Sequence, residues 1–168
     1  MADASQGSLP AGLVELAARF VLPGFGGPDV NQAITLACDL LVRDLDTPAT
    51  AAVAGLPWGA TLSDSGPVIR DMLREQGFSV PGPGASPAEE FAFVLRAVAA
   101  GGLPVGDLYV YFMWRVPARE QQDELQRRLV VLLNDWDGET TPEGMAAAAA
   151  AVREFAREAA SRALSVTR

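Results

Sequence analysis

The chain contains no histidine and no lysine, and all 13 of its cationic side chains are arginine. Histidine is the commonest acid–base catalyst and metal ligand. Its absence excludes Ser-His-Asp and Cys-His triads and imidazole-ligated zinc. Without lysine there is no Schiff-base chemistry and no P-loop lysine, and arginine stays protonated and is a poor general base. Alongside abundant alanine, the arginine-only usage reads as the mark of a GC-rich genome, not as a functional choice. Cys38 stands alone, so it can neither form an intrachain disulfide nor anchor a multi-thiolate zinc site. No apolar run reaches the length of a membrane span. The apolar segment Leu13–Leu22 is interrupted by Glu15 and Arg19 and has no basic region before it, so a cytoplasmic protein is expected. Basic charge is also scarce: 21 acids against 13 arginines leave a net −8. That balance disfavours nucleic acid and anionic membranes, whose phosphates need clustered cations. It suits solubility or a basic protein partner. No cofactor and no metal is expected.

What is present is globular composition, with 49% apolar and 20% charged residues in a chain of 168. Residues 1–8 are small and polar and are expected to be disordered. The remainder, 9–168, reads as a single helical domain.

The densest apolar stretch is 107–117, Asp-Leu-Tyr-Val-Tyr-Phe-Met-Trp-Arg-Val-Pro, with no charge between Leu108 and Trp114. Apolar on every side, it should be covered by other elements. With period two, Leu108, Val110, Phe112, Trp114 and Val116 share a face, and the aromatic and β-branched content suits a strand. With the helical period, Tyr109, Phe112, Met113 and Val116 form one stripe and Leu108, Tyr111 and Arg115 another. A strand needs a partner for its backbone groups, and the chain offers only fragments such as Phe78-Ser79-Val80. The stretch is therefore read as a short central helix. The alternative is an α+β fold with one strand at 107–117, paired with its copy in a dimer.

Helix signals surround it. Leu13, Leu16, Ala17 and Phe20 keep helical spacing up to Pro23 and the glycines that follow. Asp29 can cap a helix to about Leu45 whose face is Val30, Ile34, Ala37, Cys38 and Leu41, which turns Cys38 inward. Thr47-Pro48 opens a short helix that stops at Gly55. After Ser65 and Pro67 a helix should bury Val68, Ile69, Met72 and Leu73, with Gly77 left-handed at its end. Ser86-Pro87-Ala88-Glu89 matches the capping box of a helix carrying Phe91, Val94, Leu95 and Val98. Pro117 should open an amphipathic helix lined by Leu125, Leu129, Leu132, Leu133 and Trp136. Thr141-Pro142 starts the last, where Met145, Val152 and Phe155 sit among alanines that allow close approach of another backbone. Gly55-Leu-Pro-Trp-Gly59 and Gly102-Leu-Pro-Val-Gly106 read as one capping solution used twice. The expected architecture is all-α, a compact bundle-like domain with short Pro/Gly-punctuated loops.

Motifs that carry chemistry are weak. Asn134-Asp-Trp-Asp-Gly138-Glu139 alternates oxygen ligands before a glycine, but it lacks the third ligand and the distal Glu of a calcium loop. Gly24-Phe-Gly-Gly27 lacks the preceding strand and following Lys-Ser/Thr of a phosphate loop. Ser63–Gly66 and Arg43–Asp46 read as capping segments. The best candidate ligand-binding residues are Tyr109, Tyr111, Trp114 and Arg115, since aromatics with one arginine can hold an apolar molecule bearing an acid group. No residue is assigned a catalytic role.

Asp46-Thr-Pro-Ala49 and Ala54-Gly-Leu56, preceded by Leu40-Leu41-Val42-Arg43, resemble a segment of short uncharacterised helical proteins of GC-rich bacteria. The resemblance spans about a fifth of the chain. It implies a helical fold and brings no catalytic residue, because the matching positions are mostly capping residues.

The expected function is a non-enzymatic helical protein–protein interaction module: an accessory, adaptor or immunity-type inhibitor meeting a larger, basic partner. The alternative is a small-molecule binder or cofactor-free enzyme with its pocket at 109–115. A homo-oligomeric subunit pairing through 107–117 is a third reading.

Overall fold

The structure, a computed structural model, describes residues 11–22, 27–82, 84–115 and 122–166. Among them are eight α-helices and no strand: α1 (Ala11–Arg19), α2 (Val30–Val42), α3 (Pro48–Ala54), α4 (Leu62–Glu75), α5 (Pro87–Ala99), α6 (Val105–Arg115), α7 (Glu124–Asp137) and α8 (Pro142–Val166). The fold is all-α. The stretch from Asp107 is helical as far as Arg115, which removes the strand reading for it. Residues 1–8, Gly24–Gly26 and Val116–Gln121, on which several expectations rested, lie outside the described residues.

Internal contacts group the chain into two compact units, one holding α1–α4 and the other α5–α8. In the first, α2 and α3 pack together, as do α3 and α4, and α1 lies against α2 and α4. Its core includes Leu13, Leu16, Leu40, Val53, Ile69, Met72 and Leu73. A side chain at Gly12 would meet Leu36 Cδ2 at 2.8 Å, so the end of the Leu36 side chain would have to shift to admit one. In the second, α8 is the hub and packs on α5, α6 and α7. Its core joins Phe91, Val94, Leu95 and Val98 to Leu108, Phe112, Leu129, Leu133, Val152 and Phe155.

The helix starts follow from caps. Asp29 accepts from the Asn31 amide, and Thr47 Oγ1 accepts from Thr50 with Pro48 in the first turn. Ser86 with Glu89 completes a capping box. Thr141 Oγ1 accepts from the Gly144 amide at the start of α8. The ends use one backbone motif repeatedly. After α4 the Phe78 amide donates to Leu73 O at 2.8 Å and Gly77 to Arg74 O, with Gly77 at φ +90°. After α5 the Gly102 amide donates to Ala97 O, with Gly101 at φ +76°. After α2 the Leu45 amide donates to Leu40 O, and there the left-handed residue is Asp44 at φ +56°. Each is a Schellman end that satisfies carbonyls the helix leaves open.

The structure corrects several expectations. The buried stripe of α2 is Val30, Ala33, Ile34, Ala37 and Leu40, which turns Cys38 and Leu41 to solvent. Period alone allows either stripe, because the i,i+3 steps to Ala33 and Leu40 and the i,i+4 steps to Cys38 and Leu41 are both helical spacings. Helix α4 starts at Leu62, not after Pro67, because Thr61 caps it, and Pro67 sits inside at the cost of one hydrogen bond to Ser63 O. Helix α7 starts at Glu124, where Asp123 and Gln126 form a second capping box with Asp123 in extended backbone. Pro117, expected to open this helix, lies outside the described residues. Gly55 is a right-handed C-cap at φ −83° and Gly102 follows the left-handed residue, so the two Gly-Leu-Pro segments are not one solution used twice. Met145 lies on the stripe of α8 that buries Val152, yet it is 42% exposed in the first turn of that helix.

Candidate functional site

Helix α6 carries all four residues singled out from the sequence. Its buried stripe is Val105, Leu108, Tyr111 and Phe112, spaced as a helix packed against α5 and α8 requires. Phe112 meets Phe91 edge-on, with centroids 6.2 Å apart. The opposite flank is not covered, although the absence of charge predicts that it should be. Met113 is 67% and Trp114 79% exposed, and Arg115 beside them is also exposed. Apolarity does not compel burial when one stripe of a helix suffices to anchor it.

The four residues do not converge. Tyr109 is half-buried and points to α7, where its hydroxyl donates to Asp137 Oδ2 at 3.3 Å and its ring lies 6.1 Å from Trp136. The negative charge of Asp137 raises the Tyr109 pKa. Tyr111, two residues on and across the helix, is 3% exposed. Burial first, and then the charge of Glu90, push its pKa up to about 12, with Arg115 opposing. Trp114 and Arg115 face outward. The set is thus a core tyrosine, a bridging tyrosine and two surface groups.

The other shifted groups serve the fold. Glu75 accepts from the Ala49 amide at 3.0 Å and from Thr47, and these bonds lower its pKa. Beside it, Gln76 Nε2 donates to Leu45 O at 2.8 Å and to Thr50 Oγ1. The last turn of α4 thereby clasps the start of α3. Glu89 is lowered by the backbone and hydroxyl of Ser86, within the capping box. Partial burial lowers Arg70, whose guanidinium lies 4.2 Å from the centre of the Phe20 ring. Among the described residues no three Cys, Asp or Glu side chains are grouped to hold a metal. The Asn134–Glu139 segment forms the end of α7 and the turn after it.

Comparison with family models, curated proteins and solved structures gives no match. Function is therefore read from the surface of the chain alone.

Two features escape a sequence reading. One is Met113, which joins Trp114 on the exposed flank. The other is a cleft between α7 and α8 where the Arg128 guanidinium lies 5.2 Å from the Phe155 ring centre. An aromatic beside one arginine, the chemistry expected at 109–115, occurs here between residues far apart in sequence. Arg128 in the first turns of α7 and Phe155 midway along α8 carried no local signal of that pairing.

Proposed function

We propose that the chain is a non-enzymatic helical protein–protein interaction module, an accessory, adaptor or immunity-type inhibitor that docks on a larger partner. The observation that carries this reading is the Met113–Trp114 pair, two large side chains open to solvent on one turn of α6. Single exposed apolar residues are ordinary on protein surfaces. Adjacent Trp and Met side chains are the kind that become buried anchors at interfaces. The net charge of −8 supports a partner with a basic face, to which association would be steered. The non-enzymatic part is supported by the shifts of Glu75, Glu89 and Tyr111, which a clasp, a cap and burial explain. A small-molecule pocket at 109–115 gains no support, because its four residues diverge.

The test is native mass spectrometry of the protein isolated gently from its host, beside the Met113→Ser/Trp114→Ser variant. The expected result is a stoichiometric second protein on the wild type and its loss from the variant. The far-UV circular dichroism of the two should be the same, since exposed substitutions change stability by about 0.5 kcal/mol or less. A partner held equally by both refutes the α6 surface. A lone chain with no second protein, under conditions that keep known complexes of the same host intact, refutes the interaction reading.

A further inference from the structure

The cleft between α7 and α8 has a volume of about 170 Å³ and is lined by Glu124, Leu125, Arg128, Phe155, Glu158 and Ala159. On α7, Glu124 and Arg128 stand one turn apart, as do Phe155 and Glu158/Ala159 on α8, so each helix presents a short row to the other. The floor is apolar, with Phe155 and Ala159 buried and Leu125 half-buried. The rim is charged. The Glu124 carboxylate is taken by Arg127 at 3.1 Å. Glu158 has no ion-pair partner among the described residues. Arg128 has none either, and its guanidinium is held near the floor by the Phe155 ring. One cation and one anion thus stand at the rim of an apolar floor without an ion-pair partner among the described residues.

We propose that this cleft binds a small apolar zwitterion, an α-amino acid with an aliphatic or aromatic side chain. The side chain would lie on Phe155, Leu125 and Ala159, the carboxylate would meet Arg128, and the ammonium would meet Glu158. Size points the same way. The volume lies below the range of sites that take nucleotide-sized or drug-sized ligands. A simple acid would leave Glu158 uncompensated and a simple amine would leave Arg128 so. The assignment does not depend on the α6 interaction surface, and either can fail without the other.

The probe is L-leucine, titrated into the intact chain while the amide resonances of residues 124–128 and 155–159 are followed by NMR. Isopentylamine and isocaproate, which lack the carboxylate and the ammonium in turn, are the comparisons. A ligand of this size should saturate with a Kd of about 1–10 mM. Each analogue should bind about fivefold more weakly, the scale of one exposed ion pair. Arg128→Gln should weaken leucine and isocaproate and leave isopentylamine unchanged, and Glu158→Gln should do the converse. Both positions are exposed, so both variants keep the fold, as circular dichroism will verify. Absence of saturation by about 50 mM leucine, above the expected range, overturns the proposal. So do analogues that bind as tightly as leucine, or variants that leave its Kd unchanged.

Discussion

Substitutions at the helix ends of the first unit test the fold through the backbone alone. Gly77 follows α4 at φ +90°, and a Cβ built there meets nothing within 4 Å. Gly77→Ala therefore adds no clash with neighbours. It forces an L-residue into left-handed backbone, at a cost of about 1–2 kcal/mol. The reduced freedom of the unfolded chain returns about 0.4–1 kcal/mol. The expected net loss is about 1 kcal/mol, a fall of about 0.5 M in the urea midpoint at an m-value near 2 kcal/mol/M. Asp44, at φ +56°, occupies the equivalent place after α2. The same reasoning reverses for Asp44→Gly, which should gain about 0.5 kcal/mol. Gly55 is the control. At φ −83°, with its nearest contact at an ordinary 3.5 Å from Ala51 O, Gly55→Ala should be neutral or stabilising by up to about 1 kcal/mol. Urea unfolding followed by far-UV circular dichroism ranks the three variants. Equal losses in Gly77→Ala and Gly55→Ala would refute the distinction drawn between left- and right-handed ends.

Glu75 should make stability depend on acid. Its folded pKa is depressed, so its contribution is complete above the ordinary carboxylate range and is lost as pH falls through the folded value. Glu75→Gln should flatten that part of a stability profile below about pH 5, as urea midpoints across pH will show. Ser65 is 1% exposed and its hydroxyl finds no hydrogen-bond partner among the described residues. Ser65→Ala should thus be neutral or raise Tm slightly, whereas removing a satisfied buried hydroxyl costs about 1 kcal/mol. Leu108, fully buried in α6, should cost about 2–5 kcal/mol on truncation to alanine in chemical denaturation. Tyr111 should stay neutral in an ultraviolet titration until about pH 12, with stability falling once pH passes the ordinary tyrosine value near 10, because only the unfolded phenol ionises there.

Much of the fold was legible because helix boundaries in this chain are written in local chemistry. Asp29, Thr47, Ser86, Thr141 and Gly77 all act as their side chains or lack of one predict. Misreadings came where two local signals competed. Pro67 is normally a helix opener, and here the Thr61 cap started the helix before it. Asp123 and Gln126 form the reciprocal cap that starts α7, a capping-box pattern that the Pro117 signal drew attention away from. Cys38 and Ala33 fit the α2 period equally well from sequence, and only packing against other helices of the same unit chose between them. The site was less legible. Aromatic density at 109–115 marked a helix rightly, but fractional burial around its axis depends on which neighbours arrive. The Arg128–Phe155 pairing is a product of α7 meeting α8, and no window along the chain contains it.

The outward turn of Cys38 has a practical consequence. As the chain's single thiol, standing on the solvent side of α2, it makes the molecule addressable at one atom. A maleimide dye or nitroxide can be attached there without engineering a new cysteine and without displacing a core side chain. The same atom will couple two molecules under air, so any dimer seen during purification should first be challenged with a reductant before it is credited to the surface of α6.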